Sequence, residues 1–364
     1  MVRPATRAAS FRDLPGWQDD RLDDALLAFS RSLPALSSHT SGWPLFDDLR
    51  AHCEAAARLV STGDVSEATA RSFFEARFVP HAVVQDEPHG LLTGYYEPIL
   101  PGSRRSSAQF PVPLLRRPPD LVTLVDDALR GTAGIGLTHG RQTDDGVAPY
   151  PTRQEIEEGA LDSLDLAFAY LADPVDAFFL HVQGSGLIEF DDGDRVRVGY
   201  DGKNGHPYSS VGRHIISQGG MSAEQATLES IKDWLRADAD RGRKAMWENQ
   251  SYIFFRELGP AAETATLGVR NIPLTAMRSL AVDAGCHELG LPVFVVAPDL
   301  DPGALGKGFF RLMMAQDVGS AIRGPERGDV FYGVGDEAGR LAGRTKHPGN
   351  YYLLLPRPAD LAAA

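Results

Sequence analysis

From residue 88 onward, glycine and proline cut the chain into short apolar runs, and this punctuation limits the possible folds more than any other feature. PHGLLTGYYEPILPGS, LPVFVVAP, GFFRLMMAQD, DVFYGVG and NYYLLLP are short, rich in β-branched and aromatic residues, and bounded by turn formers, so they read as strands. LIEF-DDGD-RVRVGY reads as a hairpin, with turn residues between two alternating runs. SYIFFREL is a further strand. Strands joined by such turns, with few helices between them, point to barrels rather than to a doubly wound sheet. No glycine-rich phosphate-binding fingerprint is present, so nucleotide chemistry has no support.

The first eighty residues have a different character. DDALLAFSRSL, PLFDDLRAHCEAAARLV and SEATARSFFEARF place apolar residues at helical spacing. Pro and Arg crowd residues 98–119, which marks a crossing between domains. VTLVDDALRG reads as a short helix and YPTRQEIEEGALD as a turn and helix start. SLDLAFAYLADP reads as a helix ended by Asp173-Pro174, and DAFFLHVQGSG as a buried strand closed by a glycine turn. SAEQATLESIKDWLRADADRGRKAMW reads as one helix, with Ser222 and Gln225 as capping box and Leu228, Ile231, Trp234 and Leu235 as its apolar face. IPLTAMRSLAVDAG reads as a helix with Gly285 at its C-cap.

The 36 basic and 49 acidic residues give a formal charge of −13, which argues against nucleic acid as the main partner, because phosphate binding needs a clustered positive field. Cys53 and Cys286 form no CxxC pair, so a structural zinc site is not expected and two burial-prone thiols are. No apolar run approaches the ~20 residues of a membrane span. MVRPATRAASFRDLPGW has neither an apolar core nor a small-residue cleavage site, and Cys53 lies in a helical pattern rather than a lipidation signal. Two readings stay open at this point: a cytoplasmic protein, or numbering that starts after an export signal has been removed.

Hydrolytic alternatives fit poorly. QGSGL around Ser185 lacks the GxSxG of a nucleophile elbow, and the histidines have no HExxH spacing. The carboxylates of AQDVGSAIRGPERGDVFYGVGDEAG, residues 315–339, are more informative. Cleaving a glycosidic bond requires protonation of its bridging oxygen, so the acid must keep its proton near neutral pH, and desolvation achieves that. Asp329 is followed by the apolar and aromatic Val330, Phe331 and Tyr332, which can dry a site. Gly328, before it, lets a substrate approach the backbone. Asp317 ends the apolar run FFRLMMA and can raise the pKa of Asp329 or orient substrate. Asp336 reads as a turn residue, and Asp beside Gly is ordinary turn chemistry in general. TGYYEP, residues 93–98, offers a hydroxyl, two rings and a carboxylate, suited to sugar faces or equally to a half-buried strand.

TGYYEP, HVQGSG (181–186), VGYDGKNGHPY (198–208), NQSYIFF (249–255) and the 315–339 segment occur in that order. Together they resemble the membrane-bound lytic murein transglycosylase A family, with its C-terminal 3D domain, over about residues 85–356. The resemblance implies a mainly β fold with helices. A double-psi β-barrel domain would comprise residues 1–99 and 221–364, with the 3D region at about 270–356, and a smaller β-barrel would be inserted at 100–220, with a deep groove between the two. It implies cleavage of the β-1,4 bond between N-acetylmuramic acid and N-acetylglucosamine in peptidoglycan, leaving a 1,6-anhydro end.

The catalytic acid and base of the family matches Asp329. Asp317, Thr93, Gly94, Tyr95, Gln183, Gly184, Ser185, Asn204 and Tyr208 match substrate-binding positions. A single carboxyl suffices because the sugar's own 6-hydroxyl is the nucleophile, so no water needs activating. The resemblance implies no cofactor and no metal. It implies peptidoglycan strands as partner, a monomer, and a cell-envelope, periplasmic location with outer-membrane association of the full-length form. A noncatalytic glycan-binding protein and a hydrolase on the same fold are the competing readings.

Overall fold

The computed structural model describes residues 3–63, 65–85, 90–124, 137–259, 265–303, 306–319 and 321–359. The strands fall in chain order. β1 (Ala5–Ala8), β2 (Phe78–Val84) and β3 (Gly90–Glu97) come first. β4 (Ile99–Ser103), β5 (Val112–Leu115), β6 (Leu121–Thr123), β7 (His139–Thr143) and β8 (Gly146–Ala148) follow. β9 (Ala167–Leu171), β10 (Ser185–Phe190), β11 (Arg195–Lys203) and β12 (Ile253–Glu257) come next. β13 (Ser279–Val282), β14 (Pro292–Ala297), β15 (Phe309–Val318), β16 (Arg327–Val334) and β17 (Lys346–Pro356) complete the set. The chain forms two compact units, and each is described by itself.

The first unit comprises Met1–Tyr96, Ala265–Gly333 and Glu337–Ala364. Its sheet runs β17-β14-β15-β13-β16-β3, and β3 pairs again with β17, so six strands close into a barrel. Closure leaves no free edge among those six strands. The length of β17 makes this possible. Lys346–Gly349 pairs with β3, Asn350–Leu353 with β14, and Tyr352–Pro356 with β2, which carries β1 outside the barrel. β13 runs parallel to β15 and antiparallel to β16.

The expected helices Leu22–Ser30, Phe46–Ser61 and Glu67–Arg77 form in this unit. Two buried polar clusters tie their segment to the barrel. Arg278 forks onto both oxygens of Asp20 at 2.9 and 2.8 Å, and Asp20 also accepts from the Leu312 amide. Gln316 donates to Ala28 O and Ser32 Oγ, and accepts from Ser279 Oγ. A buried ion pair survives desolvation when its remaining hydrogen-bonding groups are also satisfied, as they largely are here. IPLTAMRSLAVDAG is not a helix: Ser279–Val282 is a strand buried on both faces, a pattern that periodicity does not separate from a buried helix. Gly285 therefore caps no helix.

The second unit comprises Glu97–Thr264 and Val334–Asp336. A six-stranded sheet runs β12-β11-β10-β4-β9-β5, and a three-stranded one β6-β7-β8. The expected hairpin is present as β10 and β11. The unit reaches past the expected end at 220, because β12 pairs with β11 and the helices Leu228–Arg236 and Ala239–Trp247 pack in its core. Those two helices replace the single one expected; Thr227 caps the first through Ser230, and Asp238 starts the second.

Around Asp173-Pro174 the helix and strand assignments are reversed. Residues Ala167–Leu171 form β9, and Pro174–Gln183 is a helix. Asp173 is its N-cap, accepting from Val175 N at 2.7 Å, with Pro174 in the first turn. That helix buries Val175, Ala177, Phe178, Phe179, Leu180 and His181, so it presents no polar face to mark it as helical. Thr152 caps the expected helix Arg153–Glu157. The expected helix in VTLVDDALRG lies largely outside the described residues; its described start, through Thr123, belongs to β6.

Candidate functional site

Register on the barrel brings the two aspartates together. Ala281 of β13 pairs with Asp317 of β15 on one side and with Asp329 of β16 on the other. The three residues share a rung, so the aspartate Cα atoms are two strand spacings apart, about 10 Å. Directly opposed residues project to the same face. β3 lies next to β16 and adds Thr93 and Tyr95, two residues apart and so on one face.

The Thr93 hydroxyl donates to Asp329 Oδ1 at 2.6 Å, and the Tyr95 hydroxyl donates to Asp317 Oδ2 at 2.9 Å. The Tyr95 and Phe331 rings lie 5.2 Å apart, placing an aromatic pair beside the carboxyls. Ala281 was not singled out from sequence. A small residue in an apolar strand carries no signal there, although a bulkier one would crowd the space between the two acids.

The carboxyls differ in their partners. Asp317 Oδ1 accepts from the amides of Val269 at 3.1 Å and Val318 at 2.9 Å, so with Tyr95 both its oxygens are taken. Burial nevertheless outweighs these donors, and the nearby Asp329 charge adds to it, pushing the Asp317 pKa up to about 6. Asp329 has one hydrogen bond, from Thr93, and its Oδ2 accepts none among the described residues. Burial raises its pKa, against the Thr93 donor and the Arg327 charge, while the residue itself remains half-buried. Burial, then the Asp317 charge, raises the Tyr95 phenol well above its ordinary range, so it remains a donor.

Such a pair provides a carboxyl that can hold a proton with one oxygen open, beside a second carboxyl fixed by three donors. That is acid–base equipment. No group of three or more His, Cys, Asp or Glu suited to a metal ion occurs among the described residues.

Two sequence expectations change at this site. Gly328 faces away from Asp329 along β16, and a Cβ there would lie 2.0 Å from the Tyr351 hydroxyl. Its role is to accommodate Tyr351, not to admit substrate. Val330 and Tyr332 lie on that same opposite face, so of the three residues expected to dry the site, Phe331 does so. Gly94 is likewise a packing residue: a Cβ would meet the Tyr332 ring at 2.6 Å and the Ala342 backbone at 2.7 Å. Asp336 lies in the first turn of the helix Gly335–Arg344, not in a free turn.

Gln183, Gly184, Ser185, Asn204 and Tyr208 belong to the second unit. The first three form a helix-to-strand junction: Gln183 ends the helix, Gly184 takes φ +82°, and Ser185 opens β10. Tyr208 is exposed. Asn204 is fully buried. Its amide donates to Pro151 O and Gln250 O at 2.9 and 2.8 Å, and its carbonyl oxygen accepts from Tyr252 N at 2.9 Å. With every polar atom engaged, it pins loops together and offers nothing to a ligand.

Comparison with known proteins gives consistent matches. A model described as the MltA specific insert domain matches residues 91–256, and one described as the 3D domain matches residues 278–355. "Membrane-bound lytic murein transglycosylase A" of Vibrio cholerae is 36% identical over 208 residues, 56% of this chain and 55% of the relative. The protein of that name from Escherichia coli K12 is 32% identical over 270 residues, 73% of this chain and 66% of the relative. The aligned chain thus spans between half and two thirds of these curated relatives. Among solved structures, a membrane-bound lytic murein transglycosylase from Agrobacterium tumefaciens superposes with TM-score 0.87 at 38% identity, covering 97% of this chain and 98% of that one. A structure of E. coli MltA with bound chitohexaose superposes with TM-score 0.70 at 26% identity, covering 98% and 94%.

Proposed function

This chain belongs to the membrane-bound lytic murein transglycosylase A family, and from that premise we propose that it cleaves peptidoglycan strands without water, using Asp329 as both acid and base. The observation that carries the reading is the Asp329 carboxyl: anchored by Thr93 at one oxygen, without a hydrogen bond at the other, and raised in pKa by burial. A carboxyl in that state can pass its proton to the bridging oxygen of the MurNAc–GlcNAc bond as the bond breaks. The resulting carboxylate then accepts the proton of the muramoyl 6-hydroxyl while that oxygen bonds to the anomeric carbon. One proton is given and one regained, and the 1,6-anhydro ring takes the place of an added water.

Asp317 acts as a fixed neighbour. Its engaged oxygens make it a poor acid, and the Tyr95 phenol beside it can orient a sugar. The second unit is the proposed substrate-binding insert, with Gln183, Gly184, Ser185 and Tyr208 as its glycan contacts. Chitohexaose bound to the E. coli relative supports an oligosaccharide ligand. The envelope, with outer-membrane association, is the proposed location, on the strength of the relatives' membrane-bound names. No helix among the described residues is long and apolar enough to cross a membrane.

Mass analysis of products from purified sacculi tests the reading. Anhydro-muropeptides are expected from the native chain. Products heavier by one water would make it a hydrolase, and retention on sacculi with no product would make it a binding protein.

A further inference from the structure

The second unit contains a cavity of about 680 Å³ that the proposed chemistry does not use. It forms where three separate apolar clusters meet without closing. Ala177 belongs to the first cluster, Phe178 and Met246 to the second, and Ile156 and Tyr252 to the third, and all five line the void. The volume falls within the ~300–1,000 Å³ of small-molecule sites.

Its arginines are already paired. Arg153, 1% exposed, donates to Asn249 O, Ser251 O and Glu157, and Glu157 also accepts from Trp247 Nε1. Arg236 is held by Asp173 and Asp176. Two lining side chains keep an unengaged donor among the described residues, the Tyr252 hydroxyl and His181. His181 is 6% exposed and lines the cavity. The Ile253 amide donates to its Nδ1 at 3.1 Å, which leaves the proton on Nε2. Nε2 makes no hydrogen bond among the described residues, and it is not one of the sealed atoms that lack a partner. Nε2 is therefore not sealed in the core, and the cavity is the space that His181 lines. Burial first, then the Arg153 charge, keeps the ring neutral by holding its pKa well below the usual histidine value.

We infer that this cavity is a binding site for a small uncharged ligand with an apolar body and one carbonyl-type acceptor, which receives the His181 Nε2 proton in a hydrogen bond. A sugar fits poorly, because its many hydroxyls would be buried against largely apolar walls with only His181 and the Tyr252 hydroxyl left to meet them. An anion would find the lining arginines already paired, and a cation would find only Glu158 and Asp162, both exposed to water. The inference is independent of the transglycosylase reading, since none of the proposed acid–base residues lines the void.

The test uses the intact chain and a neutral naphthyl ketone dye whose emission moves to the blue in apolar surroundings. Saturable blue-shifted binding at one site per chain is expected. Ala239→Trp, at an exposed lining position at a helix start, adds bulk to the cavity wall without replacing a core residue and should weaken binding by about tenfold or more. The same dye lacking its ketone should bind several-fold more weakly, and chitohexaose should not compete. Absence of saturable binding, equal affinity in Ala239→Trp, equal affinity without the ketone, or displacement by chitohexaose would each overturn the assignment.

Discussion

Asp317 and Asp329 flank the same alanine, yet three donors converge on the first and one on the second. The two positions share strand geometry, face and aromatic neighbours, so the difference lies in what their oxygens have left to offer. A carboxylate whose lone pairs are all occupied is a fixed charge. One that keeps an oxygen open can exchange a proton with a guest. Burial raises the pKa of both, that of Asp317 to about 6 with the neighbouring carboxylate adding to it, while its three donors hold it in place. A high pKa therefore does not by itself separate the two carboxyls; the open oxygen of Asp329 does.

The largest effect that can break this comparison is on catalysis. Asp329→Asn is expected to lower release of anhydro-muropeptides by about 10³-fold or more while sacculus binding persists. Asp317→Asn should cost only about 10- to 100-fold, because its amide oxygen still accepts the Val269 and Val318 amides. The reverse order, measured by product yield per enzyme, would assign the acid to Asp317.

Stability against pH sharpens the contrast next. The folded pKa of Asp317, about 6, lies above its ordinary 3.8, so the native state binds the extra proton. Stability from this group is full below pH 3.8 and falls as pH rises through about 6, by roughly 3 kcal/mol for a shift of that size. Urea midpoints across that window should fall with a shallower slope in Asp317→Asn than in the native chain.

A smaller effect separates the two faces of β16. Gly328→Ala should destabilise the protein by about 1–3 kcal/mol through collision with the Tyr351 hydroxyl, and Tyr351→Phe in the same chain should recover part of it. Chemical denaturation of the two variants decides this; no loss in Gly328→Ala would show that the strand yields there. The smallest effect is at Thr93. Thr93→Val removes a donor that lowers the Asp329 pKa, so the pH profile of kcat/KM should move upward, with a loss of about tenfold in rate. An unmoved profile would detach Thr93 from the titration.

Sequence revealed some of this and hid the rest for identifiable reasons. β14 to β17 were legible because apolar runs bounded by glycine and proline admit few alternatives. Pro174–Gln183 was misread as a strand, since its residues are buried nearly all round and show no helical stripe; the Asp173-Pro174 cap was the overlooked signal. The aspartates were legible through motif order. The shared rung through Ala281 was not, because a pairing between residues far apart in the chain leaves no local trace. The resemblance puts Asn204 among substrate-binding positions, and only its three internal hydrogen bonds reveal a structural pin.

The way β17 closes the barrel has a kinetic consequence. Thr93 and Asp329 meet across 236 residues, and β3 is secured on its other side only when Lys346–Gly349 docks. Such distant pairings are the slowest to form as a chain folds. During synthesis, the segment bearing Thr93 leaves the ribosome long before its partners exist, so the Thr93–Asp329 contact can form only after nearly the whole chain has been made.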